Sequence, residues 1–375
     1  VEALPERFGV VALAAGANLE ELIRQIARHH PEVVSVGDAK RSDELSRLLR
    51  EKGITPFPEI HHGREGMLAA GTHPKADIVA SAAVGVVGLE ATYEAVKMGK
   101  TVALSNKEVL VAAGELVMAA AKKAGRELLP VDSEHNAVHQ CLRGGTRGEV
   151  RRLVLTASGG PFRKTPLAAL ANVTIEQALA HPNWRMGNRI TIDSATMMNK
   201  GFEVIEARWL FGMRPDQIDV VIHPQSTIHS MVEFVDGSVL AQLGPTDMRM
   251  PIQYALTYPE RVASQVALDW PKLKRLDFAK ASTRRFPCLR LAREAMKKGG
   301  ALPCALNAAD EIAVAAFLER RIPFLGIPEV IERVLGRTPR VRFEKMEDVL
   351  AADAEARRMA REEVERLAVT AAAAS

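Results

Sequence analysis

Thr101-Val102-Ala103-Leu104-Ser105-Asn106-Lys107-Glu108 opens with a short β-branched and apolar run and closes on a polar turn. Residues 108–124 then carry apolar side chains at helical spacing, and Leu128-Leu129 is a second short apolar run. This strand, helix, strand order is repeated upstream. Residues 10–16 read as a buried parallel strand ending in Gly16, 19–29 as a helix, 33–36 as a strand, 42–52 as a helix and 54–57 as a strand. Residues 77–81 are strand-like and 88–98 helical. The segment 4–8 reads as the end of a helix leading into the first of these strands. Such alternation predicts an α/β fold with a Rossmann-like doubly wound parallel sheet. Ligands of such sheets sit beyond the carboxyl ends of the strands, where Asn106-Lys107-Glu108 and Asp132-Ser133-Glu134 fall.

From residue 149 the pattern changes to mixed α+β. A strand over 153–156 runs into the turn Ser158-Gly159-Gly160-Pro161-Phe162. Residues 219–222 and 230–234 read as strands, and 239–243 pairs back after Asp236-Gly237. Beyond Pro271 the chain is loose and basic, then helical from Cys288, with amphipathic stretches at 307–320, 328–335 and 346–367. The domains expected are 1–131 with the doubly wound sheet, 132–257 as an α+β catalytic domain, a linker over 258–287, and a C-terminal helical bundle over 288–375.

Composition narrows the function. The chain has 375 residues, 47% hydrophobic and 26% charged, with a net charge of +4. That balance is mild and evenly dispersed, which argues against nucleic acid. Cys141, Cys288 and Cys304 form no CxxC pair and read as reduced thiols in a cytoplasmic protein. No apolar run approaches the roughly 20 residues of a membrane span, and no signal peptide is visible.

Two segments carry the chemistry. In Val131-Asp132-Ser133-Glu134-His135, read as extended, the two carboxylates point to one side. In Asn199-Lys200-Gly201-Phe202-Glu203, Lys200 and Glu203 share one face of a helix. Asp132, Glu134 and Glu203 would suit a hard cation such as Mg2+ or Mn2+. On spacing alone, Asp132 as a helix cap with the other two solvated is equally consistent. Ser158, Ser194, Asn199 and Lys200 supply hydroxyls, an amide and a point charge for a phosphomonoester; each taken singly also fits a turn or cap. His181-Pro182-Asn183-Trp184 opens a loop over 181–188 whose aromatic could cover a ligand or simply pack on the domain. His223 and His229 read as core or interface groups, and His29, His30, His61 and His62 as solvated.

Ser105-Asn106-Lys107-Glu108, Asp132-Ser133-Glu134-His135, Ser158-Gly159-Gly160-Pro161-Phe162, the 181–187 motif and Met197-Met198-Asn199-Lys200-Gly201-Phe202-Glu203 occur in one order. The series resembles the 1-deoxy-D-xylulose 5-phosphate reductoisomerase family from about Phe8 to the C-terminal helices. The resemblance implies an NADPH-dependent oxidoreductase of the non-mevalonate isoprenoid pathway, cytoplasmic and homodimeric through the middle domain's sheet. It implies an intramolecular rearrangement of a sugar phosphate, then hydride transfer from NADPH to give 2-C-methyl-D-erythritol 4-phosphate. It places the metal on Asp132, Glu134 and Glu203. The substrate falls to Lys107, Ser133, Glu134, Ser158, His181, Trp184, Ser194, Asn199, Lys200 and Glu203, with Lys107, Glu134 and His181 as catalytic groups. Cofactor contacts fall on Gly16, Ala17, Asn18, Asn106, Glu108 and Gly187.

The sequence departs from the family's pattern in two places. The family's first strand and its turn Gly-x-Thr-Gly-x-Ile-Gly do not occur before Val1. This suggests a GTG start read as valine, or a fragment; the alternative function is then a catalytically impaired remnant that binds sugar phosphate only. The turn Gly16-Ala17-Asn18 also has Ala17 where many relatives carry Lys or Arg for the NADP 2′-phosphate, though the lack of Asp or Glu there argues against NAD.

Overall fold

The structure, a computed structural model, describes residues 1–184 and 186–374, with side chains through Val369. The chain divides into two compact units, the first formed by residues 1–103 with 119–128 and the second by 104–118 with 129 onward.

In the first unit β1 (Ala12–Ala14), β2 (Val33–Val36) and β3 (Glu59–His62) form a parallel sheet with β2 at its centre. Between them run α1 (Leu19–His29) and α2 (Ala39–Glu51). Helix α1 forms because Leu22, Ile23 and Ile26 make one buried stripe, Asn18 caps its first turn and Glu20 and Glu21 complement its dipole. With Val34, Val36, Leu45 and Leu49 that stripe closes a small core, each fully buried aliphatic side chain contributing about 1.5–3 kcal/mol. Helix α3 (Gly63–Gly71) leads to β4 (Ile78–Ser81), α4 (Leu89–Lys97), β5 (Thr101–Leu104), α5 (Glu108–Ala124) and β6 (Leu128–Pro130). The last three strands form a second sheet ordered β4-β5-β6.

The sequence reading misplaced three features here. Residues 54–57 are not a strand; Pro56 and Pro58 break the run, and pairing with β2 begins at Glu59. Strand β1 is shorter than residues 10–16 and only partly buried, because it lies at a sheet edge. Residues 4–8 form turns closed by Arg7 N–H to Leu4 O and Phe8 N–H to Leu4 O, not a helix end.

The second unit holds α6 (Ser133–Leu142), β7 (Val150–Ala157), α7 (Ile175–Leu179), α8 (Asn188–Thr196), α9 (Met198–Phe211), β8 (Ile218–Ile222), β9 (Ile228–Phe234), β10 (Val239–Leu243), α10 (Arg249–Thr257) and β11 (Ala279–Lys280). Its sheet runs β10-β9-β7-β8-β11, with β7 and β8 parallel and the other neighbours antiparallel. This is the mixed α+β pattern expected. Four helices follow: α11 (Pro287–Lys298), α12 (Leu302–Leu318), α13 (Gly326–Arg337) and α14 (Met346–Ala374). Their apolar faces meet α9 in one core that includes Phe202, Ile205, Leu291, Ala292, Leu306, Ala309, Val330 and Ala360. That core buries α9 on its apolar side, and its Lys200 and Glu203 turn to Glu134 and Lys107.

Candidate active site

Strand endings build the site within the second unit. The Val131 N–H donates to the Leu104 carbonyl at 2.8 Å, which sets Asp132 beside Lys107. Pro130 ends β6, and the Asp132 carbonyl accepts from Asn136 N–H at 2.8 Å, so a helix starts at once. Asp132 and Glu134 therefore flank and open α6: of the two alternatives the extended one fails, and Asp132 stands at the helix's cap position, though its side chain makes no capping hydrogen bond. On the other side Met197 adopts a left-handed conformation (φ 62°), which breaks α8 from α9 and turns Asn199, Lys200 and Glu203 toward Asp132.

Two ammonium groups stitch the carboxylates together. Lys107 Nζ donates to Asp132 Oδ2 and to Asn199 Oδ1 (2.9 Å) and lies 3.5 Å from Glu203 Oε1. Lys200 Nζ donates to Glu134 Oε1 (2.9 Å) and to Glu203 Oε2. Asn199 Nδ2 donates to Glu203 Oε1 at 2.6 Å, and Ser133 Oγ to Glu134 Oε2 at 2.8 Å. Thus Lys107, Asp132, Ser133, Glu134, Asn199, Lys200 and Glu203, all singled out from sequence, form one hydrogen-bonded cluster.

Two further residues escaped the sequence reading. His135 Nε2–H donates to the Glu203 carbonyl at 2.8 Å, and its Nδ1 stands 3.2 Å from Glu206 Oε2, with both side chains fully buried. Glu206 was legible in principle: it lies one helical turn past Glu203 on the same face. His135, not Glu134, joins Asp132 and Glu203 in a group whose ligand atoms lie within 4.8 Å of one another.

Electrostatics explain what this cluster wants. Burial and the carboxylates around it push Glu203 up to about 8, Lys200 and Lys107 only partly offsetting them. Burial raises Glu206 well above the usual carboxyl range and lowers His135 to about 4. Burial opposes charge on Asp132, but Lys107 outweighs it and holds that carboxyl well below its ordinary value. Burial likewise opposes charge on both lysines, and the carboxylates overcome it: Asp132 and Glu203 for Lys107, Glu134 and Glu203 for Lys200. Four carboxyl groups thus face two ammoniums, an excess of two negative charges when all are ionised. A hard divalent cation fits that excess and that oxygen-rich donor set.

A second set of groups surrounds the end of β7. Gly160 needs its positive φ of 63°, and a Cβ there would lie 2.7 Å from the Ser194 carbonyl oxygen, so glycine lets the Ser158 turn pack on α8. His181 Nδ1 accepts from the N–H groups of Trp184 (2.9 Å) and Asn183 (3.2 Å). Its proton therefore sits on Nε2, 3.2 Å from Ser158 Oγ. Burial lowers the His181 pKa, which favours the neutral ring. Asn183 Nδ2 ties the loop to Pro224 O (2.6 Å) and Ser226 Oγ (2.9 Å). Trp184 is half-buried; Arg185 of the 181–188 loop lies outside the described residues. Ser158, His181 and Ser194 are thus neighbours, while the Lys200 ammonium is engaged by carboxylates.

The loop's far end is pinned by Arg189, also missed from sequence. It donates to Glu311 (2.9 Å) and Asn307 (3.1 Å) of α12 and lies 3.4 Å from Glu108. Gly187 precedes α8 and its carbonyl accepts from Thr191, and Asn106 is buried next to Lys107. In the first unit, Gly16, Ala17 and Asn18 form the exposed turn between β1 and α1, where Asn18 Oδ1 accepts from Glu21 N–H at 3.2 Å.

Comparison with known proteins gives the family. Three family models match: "1-deoxy-D-xylulose 5-phosphate reductoisomerase" over residues 1–114, its C-terminal domain model over 128–211, and "DXP reductoisomerase C-terminal domain" over 243–359. The 1-deoxy-D-xylulose 5-phosphate reductoisomerase of Solibacter usitatus is 54% identical over 358 residues, covering 95% of this chain and 90% of its own length. That of Geobacillus kaustophilus is 54% identical over 360 residues, covering 95% and 93%. The Zymomonas mobilis enzyme in complex with NADPH superposes with a TM-score of 0.90 at 44% identity, covering 97% of this chain and 94% of its own. A second structure, in complex with NADPH, fosmidomycin and magnesium, gives 0.90 at 38% identity, covering 97% and 93%. The chain belongs to the 1-deoxy-D-xylulose 5-phosphate reductoisomerase family.

Proposed function

We propose that this chain converts 1-deoxy-D-xylulose 5-phosphate to 2-C-methyl-D-erythritol 4-phosphate, using NADPH and Mg2+ or Mn2+. The observation that carries the reading is the buried Lys107, Asp132, Asn199, Lys200 and Glu203 cluster in a chain 54% identical to named reductoisomerases. Related structures hold NADPH and magnesium, and the oxygen-rich cluster has the charge to match the cation.

Asp132, Glu134 and Glu203 would hold the cation, with His135 positioning Glu203 through its backbone carbonyl. When bound, the ion supplies Lewis-acid polarisation of the substrate's carbonyl and hydroxyl oxygens. Lys107 stays charged beside Asp132 and offers a donor to a substrate hydroxyl, as Ser133 does. Ser158, Ser194 and Asn199 would take the phosphate. Lys200 joins them, because an ammonium has three donors and Glu134 and Glu203 use two. Phosphate anchorage fixes the sugar's orientation for an intramolecular step. Neutral His181 and Trp184 would close over the substrate and exclude water. In the first unit Gly16, Ala17 and Asn18 would contact NADPH; in the second, Asn106, Glu108 and Gly187 are the residues proposed to contact it.

The same reading covers organisation. It divides the chain into a cofactor domain (1–131), a catalytic domain (132–257), a linker (258–287) and a helical domain (288–375). It makes the protein a cytoplasmic homodimer through the sheet of the second unit, an arrangement supported by exposed Phe278 next to the edge strand β11. Among the described residues no helix is long and apolar enough to cross a membrane. The test is NADPH consumption on adding 1-deoxy-D-xylulose 5-phosphate and Mg2+, with the product identified by mass spectrometry. Substrate-dependent oxidation is the expected result. Isomerisation without loss of NADPH would contradict the reading.

A further inference from the structure

The carboxyl edge of the β1-β2-β3 sheet is a rim of glycines. Gly37 N–H donates to Gly16 O at 3.2 Å, and a Cβ on Gly37 would lie 3.0 Å from that same oxygen. A Cβ on Gly63 would lie 4.0 Å from Gly37 O. Successive strand-to-helix turns therefore pack backbone on backbone, and Gly16, Ala17, Asn18, Gly37 and Lys40 all face solvent. In a dinucleotide site of this kind the groups beyond the second strand's end meet the adenosine ribose, and an arginine there accommodates a 2′-phosphate. The Gly16-Ala17-Asn18 turn has no cation of its own.

Arg41 stands next to it. Its Nη1 would be 3.8 Å from a Cβ on Gly37, the position that also abuts Gly16 O. Asp38 fixes the arginine from below: its Oδ1 accepts the Arg41 backbone N–H at 2.9 Å and its Oδ2 pairs with Nη1. A guanidinium has five N–H donors in a planar fork, so this pairing leaves donors for a phosphate. The side chain is 40% exposed, and Lys40 beside it is exposed. Arg64, the other arginine on this rim, is held bidentately by Glu90 at 2.7 and 2.6 Å.

We propose that Arg41, reaching across Gly37, is the specificity-determining residue that reads the 2′-phosphate of NADPH in place of a cation at position 17. This rests on the NADPH reading above. Charge-assisted contact with a dianion accounts for a large affinity difference between cofactors that otherwise bind alike.

The test is direct binding, by isothermal titration calorimetry, of NADPH, NADH and adenosine 2′,5′-bisphosphate to the wild-type protein, Arg41→Ala, Arg41→Lys, and the double variant Arg41→Ala with Ala17→Arg. Arg41→Ala is expected to weaken NADPH and the bisphosphate at least tenfold while NADH binds as before. Arg41→Lys should retain part of the preference, and the double variant should recover it. Wild-type protein that binds neither nicotinamide cofactor would sink the NADPH reading itself. Wild-type preference for NADPH that survives Arg41→Ala, or a parallel loss of NADPH and NADH in that variant, would overturn the role of Arg41 and leave the NADPH reading standing.

Discussion

Lys107 and Asp132, 25 residues apart, form an ion pair at the carboxyl ends of β5 and β6, with side chains only 9% and 12% exposed. The pair is not isolated. Lys107 also faces Glu203, so one ammonium compensates two carboxylates that burial alone would neutralise.

Removing that ammonium leaves charge stranded in the interior. Lys107→Met should destabilise the protein by about 3–5 kcal/mol, the usual cost of breaking a buried pair from one side. It should also abolish turnover. Urea unfolding by circular dichroism measures the first and an NADPH assay the second; unfolding within about 1 kcal/mol of wild type would mean the pair is hydrated and energetically minor.

Lys200→Ala separates the phosphate role from the structural one. If its remaining donor meets the substrate's phosphate, the KM for the sugar phosphate rises at least tenfold while the KM for NADPH is unchanged. Steady-state kinetics with each substrate varied in turn decides this. An unchanged sugar-phosphate KM would confine Lys200 to bridging Glu134 and Glu203.

The Arg189 hub makes a pH prediction. Burial raises Asp193 to about 6 and Asp310 well above the usual carboxyl range. Both acids are therefore favoured protonated in the folded state. The Asp193 contribution is fully present below the unfolded value near 3.8 and is lost as pH rises through about 6, and that of Asp310 is lost in the same direction. Wild-type stability should fall over that window, and Asp310→Asn should flatten the dependence and be the more stable protein at pH 8. Thermal melts across pH 4 to 8 check it; parallel curves for the two proteins would contradict it.

The Lys200 and Glu203 pairing was legible because the helix period alone puts residues three apart on one face, and the ion pair is found. The carboxylates at 132 and 134 were read as one extended segment, but β6 ends at Pro130 where its apolar run stops, and a helix follows at once. They still converge because α6 begins at Ser133 and the Asp132 carbonyl is already in its first turn. Arg189 was not legible: its partners Asn307 and Glu311 lie more than a hundred residues away on α12, a juxtaposition set by helix packing. The inward turn of His135 and Glu206 was hidden for a related reason, although the helical spacing of Glu206 to Glu203 was there to read. Buried on all sides, they follow no amphipathic pattern that distinguishes a charge turned inward from one in solvent.

Glu203 is the residue on which the metal reading turns, and Mn2+ binding to wild-type and Glu203→Gln protein tests it most directly. Burial raises Glu203 to about 8, so without metal the glutamine variant should be the more stable protein, its advantage growing as pH rises from 4.5 toward 8. Calorimetric titration should show a single Mn2+ per wild-type chain, displaced by Mg2+, with affinity at least a hundredfold weaker in the variant. Equal affinity in the two proteins, or no Mn2+ binding to the wild type, would contradict the account.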